Sequence, residues 1–370
     1  GSDGTLWVAT YGGGVGRYFP RSRRFETYGM HPSLSEGLVD PGVFAMSEAQ
    51  DGKVWLGSET GKLARFDPAK KSFEHFPAAS LEQVNNYSIS ALHQFDEQHI
   101  LIATLDGLYR YNFKTQVLDT FLAQTNPLLV KEQAVHFIEE DPLGRFWIGM
   151  QNVGVIVVTS TGEGQLSEQF IDALTIDDPS AIHHVSNGRS LLAGLNSGAK
   201  ELLFTNNEKQ IEELKVQPVE GTHGANIYDI NVDWVGRIWI ATLSNGIKVI
   251  GNQGRFTSLD EVNGLPNNNV YSVIADANSH KIWATTNSGL VSINPDTLQL
   301  INFTHSDGLQ NDEFNSPGFL SSTGYLYFGG PNGFNRFYPN LVQRSLPINA
   351  PKLVSLSIAN QQIKIADDGL

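Results

Sequence analysis

The sequence predicts an all-β protein, a β-propeller of four-stranded antiparallel blades, and three observations lead to this prediction. A short motif with a large residue at its centre recurs eight times along the 370 residues. Each copy is followed within a few residues by a turn containing glycine, and helical periodicity is confined to a turn or so near residues 79–84. Eight strand units at a steady spacing are typical of blades repeated around a ring.

The repeated motif sets the period of the chain. Successive central residues are 44 to 48 positions apart, and five of the eight are tryptophan. The eight central residues are Trp7, Trp55, Leu101, Trp147, Leu192, Trp239, Trp283 and Tyr327. A large residue at the same strand position in every copy is what packing between blades requires, so we interpret these side chains as core and not as a platform for sugars.

Each unit has room for four strands. The motif strand is joined to the next strand by turns such as Asp106-Gly107 and Asn332-Gly333, which supply the positive φ angles of tight hairpins. A further strand-like run precedes most motifs, as at residues 135–139, and a short one follows, as at residues 300–303. Four strands in this order make one antiparallel blade.

The two ends of the chain leave the number of blades open. The first unit lacks an innermost strand, and the last unit lacks an obvious outermost strand. The spare strand-like run at residues 352–358 either completes the ring or begins another domain. We therefore expect a propeller at residues 1–340, followed at residues 341–370 by a connector and the first strand of a β-sandwich, or by a ring-closing strand.

Composition excludes several classes of function. The formal net charge of −14 argues against nucleic acid as a partner, because binding to phosphates needs a clustered positive surface. The absence of cysteine removes disulfides, thiolate nucleophiles and zinc–thiolate sites. No stretch approaches the roughly 18 apolar residues of a membrane span, and the first residues do not look like a signal peptide, so we expect no membrane contact by this part.

Several segments resemble the two-component regulator propeller repeat. Residues 3–10 (DGTLWVAT) and 51–58 (DGKVWLGS) follow its pattern closely, whereas the third and fifth copies have Leu101 and Leu192 in the tryptophan position. Residues 264–268 (GLPNN) and 308–315 (GLQNDEFN) look like the linkers between its blades. The resemblance covers residues 1 to about 340.

The resemblance implies the periplasmic ectodomain of an inner-membrane signalling protein. Propellers of this family usually have seven blades, and a β-sandwich of the triple-tyrosine type, a transmembrane helix and an output domain follow them. The output domain is a histidine kinase, often of the hybrid type, or a diguanylate cyclase. Residues 341–370 look like the connector into the sandwich, and a carbohydrate is among the ligands that the resemblance implies.

Candidate ligand-binding residues lie near the start of each innermost strand, because those strands line the central channel of a propeller. This region offers polar and aromatic side chains of the kind found in small-molecule sites. They are Phe44, Tyr87, His136, His183, Asn226, Tyr228, Asn269, Tyr271 and Asn315. The alternative interpretation is that these groups only hold ordered water.

Other chemical groups do not form a recognisable site. His183 and His184 are adjacent on a predicted strand and point to opposite faces, so with His136 they make a poor metal site. The acidic runs at residues 139–141 and 177–178 fall at predicted turns, where carboxylates are usually solvated. Gly12-Gly13-Gly14 is read as a hairpin turn, and no activated serine is recognisable. We therefore predict no catalytic residues, no metal and no cofactor.

The function predicted from the sequence is the sensing of a ligand, without catalysis by this part of the protein. Binding would alter the packing of the propeller on the following sandwich and so bias the output domain. One alternative is a scaffold for protein interaction or homodimerisation without a small-molecule site. An enzyme such as a lyase or a hydrolase is the third hypothesis, since propellers host both.

Overall fold

The computed structural model describes residues 6–10, 14–18, 25–82, 84, 87–121, 133–160, 166–170, 178–207, 209–251, 254–342, 356–358 and 361–363. Within these ranges the chain forms seven four-stranded antiparallel sheets and two two-stranded sheets. The prediction of an all-β propeller with four-stranded blades is confirmed, and the ring has seven blades. In the same ranges, no helix is long and apolar enough to cross a bilayer.

The chain begins with three strands outside the first complete blade: β1 (Leu6–Thr10), β2 (Gly14–Tyr18) and β3 (Glu26–Tyr28). Blade 1 follows with β4 (Val43–Glu48), β5 (Val54–Ser58), β6 (Leu63–Asp67) and β7 (Ser72–His75). Blade 2 has β8 (Ile89–Gln94), β9 (His99–Thr104), β10 (Gly107–Asn112) and β11 (Val117–Thr120). Blade 3 has β12 (Val135–Glu140), β13 (Arg145–Met150), β14 (Gly154–Ser160) and β15 (Leu166–Phe170).

Blade 4 has β16 (Pro179–Ser186), β17 (Arg189–Gly194), β18 (Gly198–Asn207) and β19 (Gln210–Pro218). Blade 5 has β20 (Ile227–Val232), β21 (Ile238–Thr242), β22 (Ile247–Ile250) and β23 (Phe256–Leu259). Blade 6 has β24 (Val270–Asp276), β25 (Lys281–Thr286), β26 (Gly289–Ile293) and β27 (Leu300–Phe303). Blade 7 has β28 (Gly318–Leu320), β29 (Leu326–Gly330) and β30 (Gly333–Phe337), and β31 (Leu356–Ile358) and β32 (Gln361–Ile363) come after it.

Helical structure in the described ranges is limited to single 3-10 turns. They are Ala78–Leu81, Glu261–Asn263, His305–Asp307 and Pro339–Leu341. The first of them coincides with the one place where the sequence allowed a turn of helix.

The seventh blade takes its outermost strand from the start of the chain. Strand β3 pairs antiparallel with β30, with Thr27 opposite Asn335 and Tyr28 opposite Phe334. The innermost strands contact one another in order around the ring, and β28 contacts β4. The ring is therefore closed by residues that lie about 310 positions apart in sequence.

This closure explains why eight repeat units give seven blades. The first unit contributes only β3 to the ring, while β1 and β2 pair with each other in a separate two-stranded sheet. At the other end, β31 pairs with β32 and not with a blade. Of the two roles considered for residues 352–358, completion of the ring is thus taken by Glu26–Tyr28.

The repeated large residues form the core between blades, as predicted. Trp55, Trp147, Trp239 and Trp283 are each 0% exposed, and the other motif residues from Leu101 onward are equally buried. Burying a large apolar side chain contributes roughly 1.5–3 kcal/mol, so the series accounts for much of the cohesion of the ring. The side chain of Trp7 lies outside the described part of the chain.

A buried carboxylate fixes the tryptophan in two of the blades. Asp141 Oδ2 accepts hydrogen bonds from Trp147 Nε1 at 2.9 Å and from Arg145 Nε at 2.6 Å. Asp233 holds Trp239 in the same way, at 3.0 Å. The prediction that the run at residues 139–141 is a solvated turn is only partly right: Glu139 and Glu140 are exposed but end a strand, and Asp141 is only 5% exposed.

Candidate functional site

A cavity lies on the axis of the ring, between the innermost strands. Its volume is about 150 Å³, and residues from β4, β8, β12, β16, β20 and β28 line it. The polar and aromatic residues among them are Phe44, Ser90, His136, Phe137, Glu139, Ser180, Tyr228, Asp229 and Phe319. A cavity of this size is enough for a molecule about as large as benzene.

A β-bulge near the start of the innermost strand recurs in blades 1 to 6. In each case one residue of the inner strand is skipped in the pairing with the next strand. The skipped residues are Phe44, Ser90, His136, Ser180, Tyr228 and Tyr271. A bulge re-aims a side chain, and five of these six residues line the axial cavity.

The structure brings together only some of the nine residues predicted to bind a ligand. Phe44, His136 and Tyr228 line the cavity. Tyr271 packs edge-to-face on Tyr228, with ring centroids 5.0 Å apart, and forms a second layer behind it. The remaining five residues are Tyr87, His183, Asn226, Asn269 and Asn315, and none of them lines the cavity.

Two of those five, Asn226 and Asn315, each have a buried side-chain oxygen without a hydrogen-bond partner among the described residues. Asn269 Oδ1 accepts a hydrogen bond from the Ser244 backbone N–H at 2.9 Å, and Tyr87 is 40% exposed. His183 is half-buried, and this burial lowers its pKa.

Glu139 is one of the lining residues that the sequence analysis missed. Its side chain is exposed to solvent, and it makes no hydrogen bond or ion pair with any residue in the described ranges. The protein that surrounds the carboxyl group raises its pKa to about 7, with opposite contributions from His93, which lowers it, and Asp229, which raises it. Surrounding protein atoms disfavour the charged form of a carboxyl group, and the solvent exposure of the Glu139 side chain opposes this effect.

Asp229, in contrast, is tied into the ring. Its Oδ2 accepts hydrogen bonds from Ser272 Oγ at 3.0 Å and from the Val273 backbone N–H at 2.9 Å, and Oδ1 accepts one from the Ile230 N–H at 2.8 Å. Burial raises its pKa to about 6 although these hydrogen bonds favour the ionised form. The carboxylate therefore joins β20 to β24, and thus blade 5 to blade 6.

Similar polar bridges join other neighbouring blades beside the cavity. Ser180 Oγ donates to the Ile227 carbonyl at 2.6 Å, and Ser90 Oγ donates to the Val135 carbonyl. His136 Nε2 lies 3.5 Å from Asp178 Oδ1; burial lowers the pKa of the imidazole and the carboxylate opposes that shift. Several lining side chains thus also hold the blades together.

The histidine pair does not form a metal site in the structure. His184 Nδ1 lies 2.8 Å from Ser190 Oγ, and its ring packs on Trp147, while burial lowers its pKa to about 4. Across the part of the chain that the structure describes, no three His, Cys, Asp or Glu side chains are placed to hold a metal ion. Asp177 lies outside that part.

Comparison with known proteins gives the same fold and a signalling context. No family model matches the chain. A histidine kinase from Formosa agariphila, Histidine kinase P4, is 24% identical over 344 residues, which are 88% of this chain and 24% of that protein. The chain thus spans about a quarter of the length of the curated relative it matches.

Solved structures extend the comparison. The extracellular domain of the proposed hybrid two-component system BT3049 from B. thetaiotaomicron superposes with a TM-score of 0.72 at 20% identity, over 99% of this chain and 49% of that one. The extracellular domain of the proposed one-component system BT4673 from the same organism gives 0.59 at 19% identity, over 98% and 48%. Streptogramin B lyase gives 0.61 at 17% identity, over 84% and 96%.

At identities this low, the structural comparisons establish the fold alone. The similarity to the lyase shows that this fold by itself does not define an activity. The predicted resemblance is confirmed: the chain is a seven-bladed propeller domain, similar in sequence to a histidine kinase and in structure to the extracellular domains of a proposed hybrid two-component system and a proposed one-component system.

Proposed function

We propose that the chain is the extracytoplasmic, ligand-sensing propeller of a membrane-bound signalling protein, and that the ligand binds in the axial cavity. The observation that carries this proposal is the cavity itself, because six innermost strands contribute polar and aromatic side chains to one concave space. Concave spaces with a few convergent polar groups are the usual sites for small molecules.

The position of the cavity suits signal transmission. Asp229 lines it and also joins blades 5 and 6, and Ser272, which donates to Asp229, accepts a hydrogen bond from the Gly318 N–H of blade 7 at 3.2 Å. A ligand that contacts these strands would bear on the packing between blades. Only a ligand that binds two arrangements of the blades with different affinity can shift the balance between them.

The signalling context supports this proposal. The histidine kinase relative is much longer than the matched region, so we infer a downstream output domain, either a kinase or a diguanylate cyclase. Residues 341–370 would then connect to a β-sandwich, and the propeller would lie in the periplasm. The resemblance makes carbohydrates one class of ligand to test.

A thermal-shift screen of the 370-residue chain tests ligand binding. The panel contains oligosaccharides, amino acids, amines and divalent ions, and a ligand of the folded state raises Tm by an amount that grows with the ratio of its concentration to Kd. The Tyr228→Ala variant should lose the shift, whereas the Tyr87→Ala variant should keep it, because Tyr87 lies outside the cavity. If no compound raises Tm, or if both variants keep the shift, sensing in the axial cavity is refuted.

An interaction scaffold is the second candidate, and one surface feature favours it. Trp234 is 36% exposed in the turn between β20 and β21, and it packs on His280 of the next blade with ring centroids 5.1 Å apart. Val235 beside it is 48% exposed. Sedimentation velocity of the wild type and of Trp234→Ser tests self-association: a dimer that the substitution dissociates would support the scaffold, and a monomer at all concentrations would contradict homodimerisation.

A further inference from the structure

Glu139 differs from Asp229, Ser90 and Ser180 in the same cavity because it has no hydrogen-bond or ion-pair partner among the described residues. Asp229 accepts three hydrogen bonds, and Ser90 and Ser180 each donate to a carbonyl of the next blade. Glu139 lines the same cavity, yet no described residue donates a hydrogen bond to its carboxylate or pairs with it. It is the one charged lining group in the described ranges whose bonding capacity is left for a ligand.

Aromatic side chains form much of the remaining wall. Phe44, Phe137, Tyr228 and Phe319 come from β4, β12, β20 and β28, so they approach the cavity from different directions around the axis. Phe44, Tyr228 and Phe319 are only half-buried, which leaves part of each ring open to an occupant. Aromatic faces attract cations, and the attraction grows when the cation is desolvated.

A carboxylate beside aromatic faces selects for organic cations. A metal ion would need several oxygen or nitrogen ligands, and no such group of three exists in the described ranges. An alkylammonium ion needs one carboxylate for its charge and apolar or aromatic surface for its carbon atoms. The net charge of −14 also favours the approach of cations over anions.

We propose that the axial cavity binds a small organic ammonium ion, with the Glu139 carboxylate as its charged anchor and the aromatic side chains as its walls. This inference rests on the proposed function, because it names the class of ligand for the same cavity. The volume of about 150 Å³ limits the bound group to about the size of benzene. A longer ligand would extend from the cavity along the axis of the ring.

Neighbouring charges tune the anchor. His93 on β8 and Asp229 on β20 act on the Glu139 carboxyl in opposite directions. His93 Nε2 lies 3.1 Å from the Glu140 carboxylate, so Glu140 has an ion-pair partner and Glu139 does not. The histidine of the cavity lining, His136, is paired with Asp178. With the pKa of Glu139 raised to about 7, the anchor is mostly protonated at pH 6 and mostly ionised at pH 8.

The test is calorimetric titration of the 370-residue chain with n-butylammonium chloride at fixed ionic strength. n-Butanol is the neutral control of similar shape, and sodium chloride controls for the counter-ion. The wild type should bind butylammonium and not butanol, and binding should weaken about tenfold from pH 8 to pH 6, as the anchor becomes protonated. This pH series needs no variant and so does not depend on how substitutions fold.

Two variants locate the anchor. Glu139→Gln should weaken butylammonium binding about tenfold or more, because a charge-assisted contact is replaced by a neutral one. Glu140→Gln removes the same charge one residue along β12, outside the cavity lining, and should retain the affinity of the wild type. Circular dichroism and unfolding midpoints of both variants check that the ring has formed.

Each contrary outcome separates this inference from the proposed function. If butanol binds as tightly as butylammonium, the cavity selects only for apolar groups. If Glu139→Gln and Glu140→Gln lose the same affinity for butylammonium, the effect of charge is general. Either result overturns the ammonium site. If an oligosaccharide or amino acid raises Tm through Tyr228 while butylammonium does not bind, the ligand class is wrong and sensing in the cavity stands. If butylammonium binds through Glu139 but leaves the output of the full-length protein unchanged, the site stands and its sensory role fails.

Discussion

Asn335 Nδ2 donates a hydrogen bond of 2.9 Å to Thr27 Oγ1 and so joins the two ends of the ring across 308 positions of sequence. Asn335 is 0% exposed, and its Oδ1 accepts a second hydrogen bond of 2.9 Å from the Gln310 backbone N–H. One amide therefore connects the closing strand, the last blade and the linker that precedes it. Closure depends on this contact as well as on the backbone pairing of β3 with β30.

Replacement of Asn335 by alanine should destabilise the ring. The substitution removes these two hydrogen bonds and a longer one of 3.4 Å to the Gly308 carbonyl, and it leaves the buried Gln310 N–H unpaired. We expect a loss of about 2–3 kcal/mol in the free energy of unfolding. Asn302→Ala is the matched control, because Asn302 is exposed and donates one hydrogen bond to the Gly264 carbonyl at 2.9 Å. Urea denaturation measures both. Equal losses in the two variants would show that the buried contact has no special weight in closure.

Gly333 should be intolerant of a side chain for a related reason. It has a φ of 114°, and a Cβ placed on it would lie 1.9 Å from the Tyr28 carbonyl oxygen of the closing strand. Gly52 also has a positive φ, of 76°, but a Cβ there would meet nothing within 4 Å. Gly52→Ala should therefore cost about 1–2 kcal/mol for the backbone conformation alone, and Gly333→Ala should cost clearly more, because β3 must also move. Thermal unfolding of the pair gives the comparison, and a smaller loss for Gly333→Ala would contradict this account.

The two buried carboxylate–arginine pairs should differ in their sensitivity to charge removal. The Arg145 side chain is 1% exposed, and its one other side-chain hydrogen bond among the described residues goes to Asn206 Oδ1 at 2.7 Å, so Asp141→Asn leaves a buried guanidinium without a counter-charge. Breaking such a pair costs about 3–5 kcal/mol. The Arg237 side chain is 18% exposed and also pairs with Asp296 at 3.0 Å, so Asp233→Asn should cost less, about 1–2 kcal/mol.

Chemical denaturation of the two aspartate variants decides the comparison. The same substitution is made beside a buried arginine in blade 3 and a more exposed arginine in blade 5, so the difference between the variants measures the combined effect of exposure and the second counter-charge. Equal losses would mean that neither the exposure of Arg237 nor Asp296 lowers the cost.

The repeat and the core could be predicted from the sequence because both are local in nature. A large residue at a fixed place in each strand pair, such as Trp55 or Trp239, recurs at the period of the blade, and its burial follows from its size. Ring closure could not be predicted in the same way. The sequence of the three residues of β3 does not identify β30 as their pairing partner. That pairing depends on how many blades close the ring.

The candidate site was only partly predictable for a different reason. Whether a residue of an innermost strand faces the cavity depends on the bulge, which shifts the alternation of side chains by one position. Phe44, His136 and Tyr228 lie at bulges and were found, whereas Ser90 and Ser180 lie at equivalent bulges and were missed. Glu139 ends the strand-like run predicted at residues 135–139, but its acidic run was interpreted as solvated, and only the three-dimensional structure shows that it lies beside the axis.

Glu139→Gln should make the folded protein more stable at neutral and alkaline pH. The pKa of Glu139 is raised from 4.5 to about 7 in the folded state, so between these values the folded chain binds more protons at this residue than the unfolded chain does. The free energy of unfolding contributed by this group therefore falls as pH rises from about 4.5 to about 7 and stays low above that. A glutamine has no charge to desolvate, so the free energy of unfolding of the variant should rise relative to that of the wild type across this window, and the difference should persist at pH 8.

Unfolding free energies of the wild type, Glu139→Gln and Glu140→Gln between pH 4 and pH 8 measure the effect. Glu140→Gln is the control, because it loses the same charge at a residue that is paired with His93. A stability difference between Glu139→Gln and the wild type that does not vary with pH would show that the Glu139 carboxyl is solvated like an ordinary surface group, and its availability as an anchor at neutral pH would then need no tuning by Asp229 or His93.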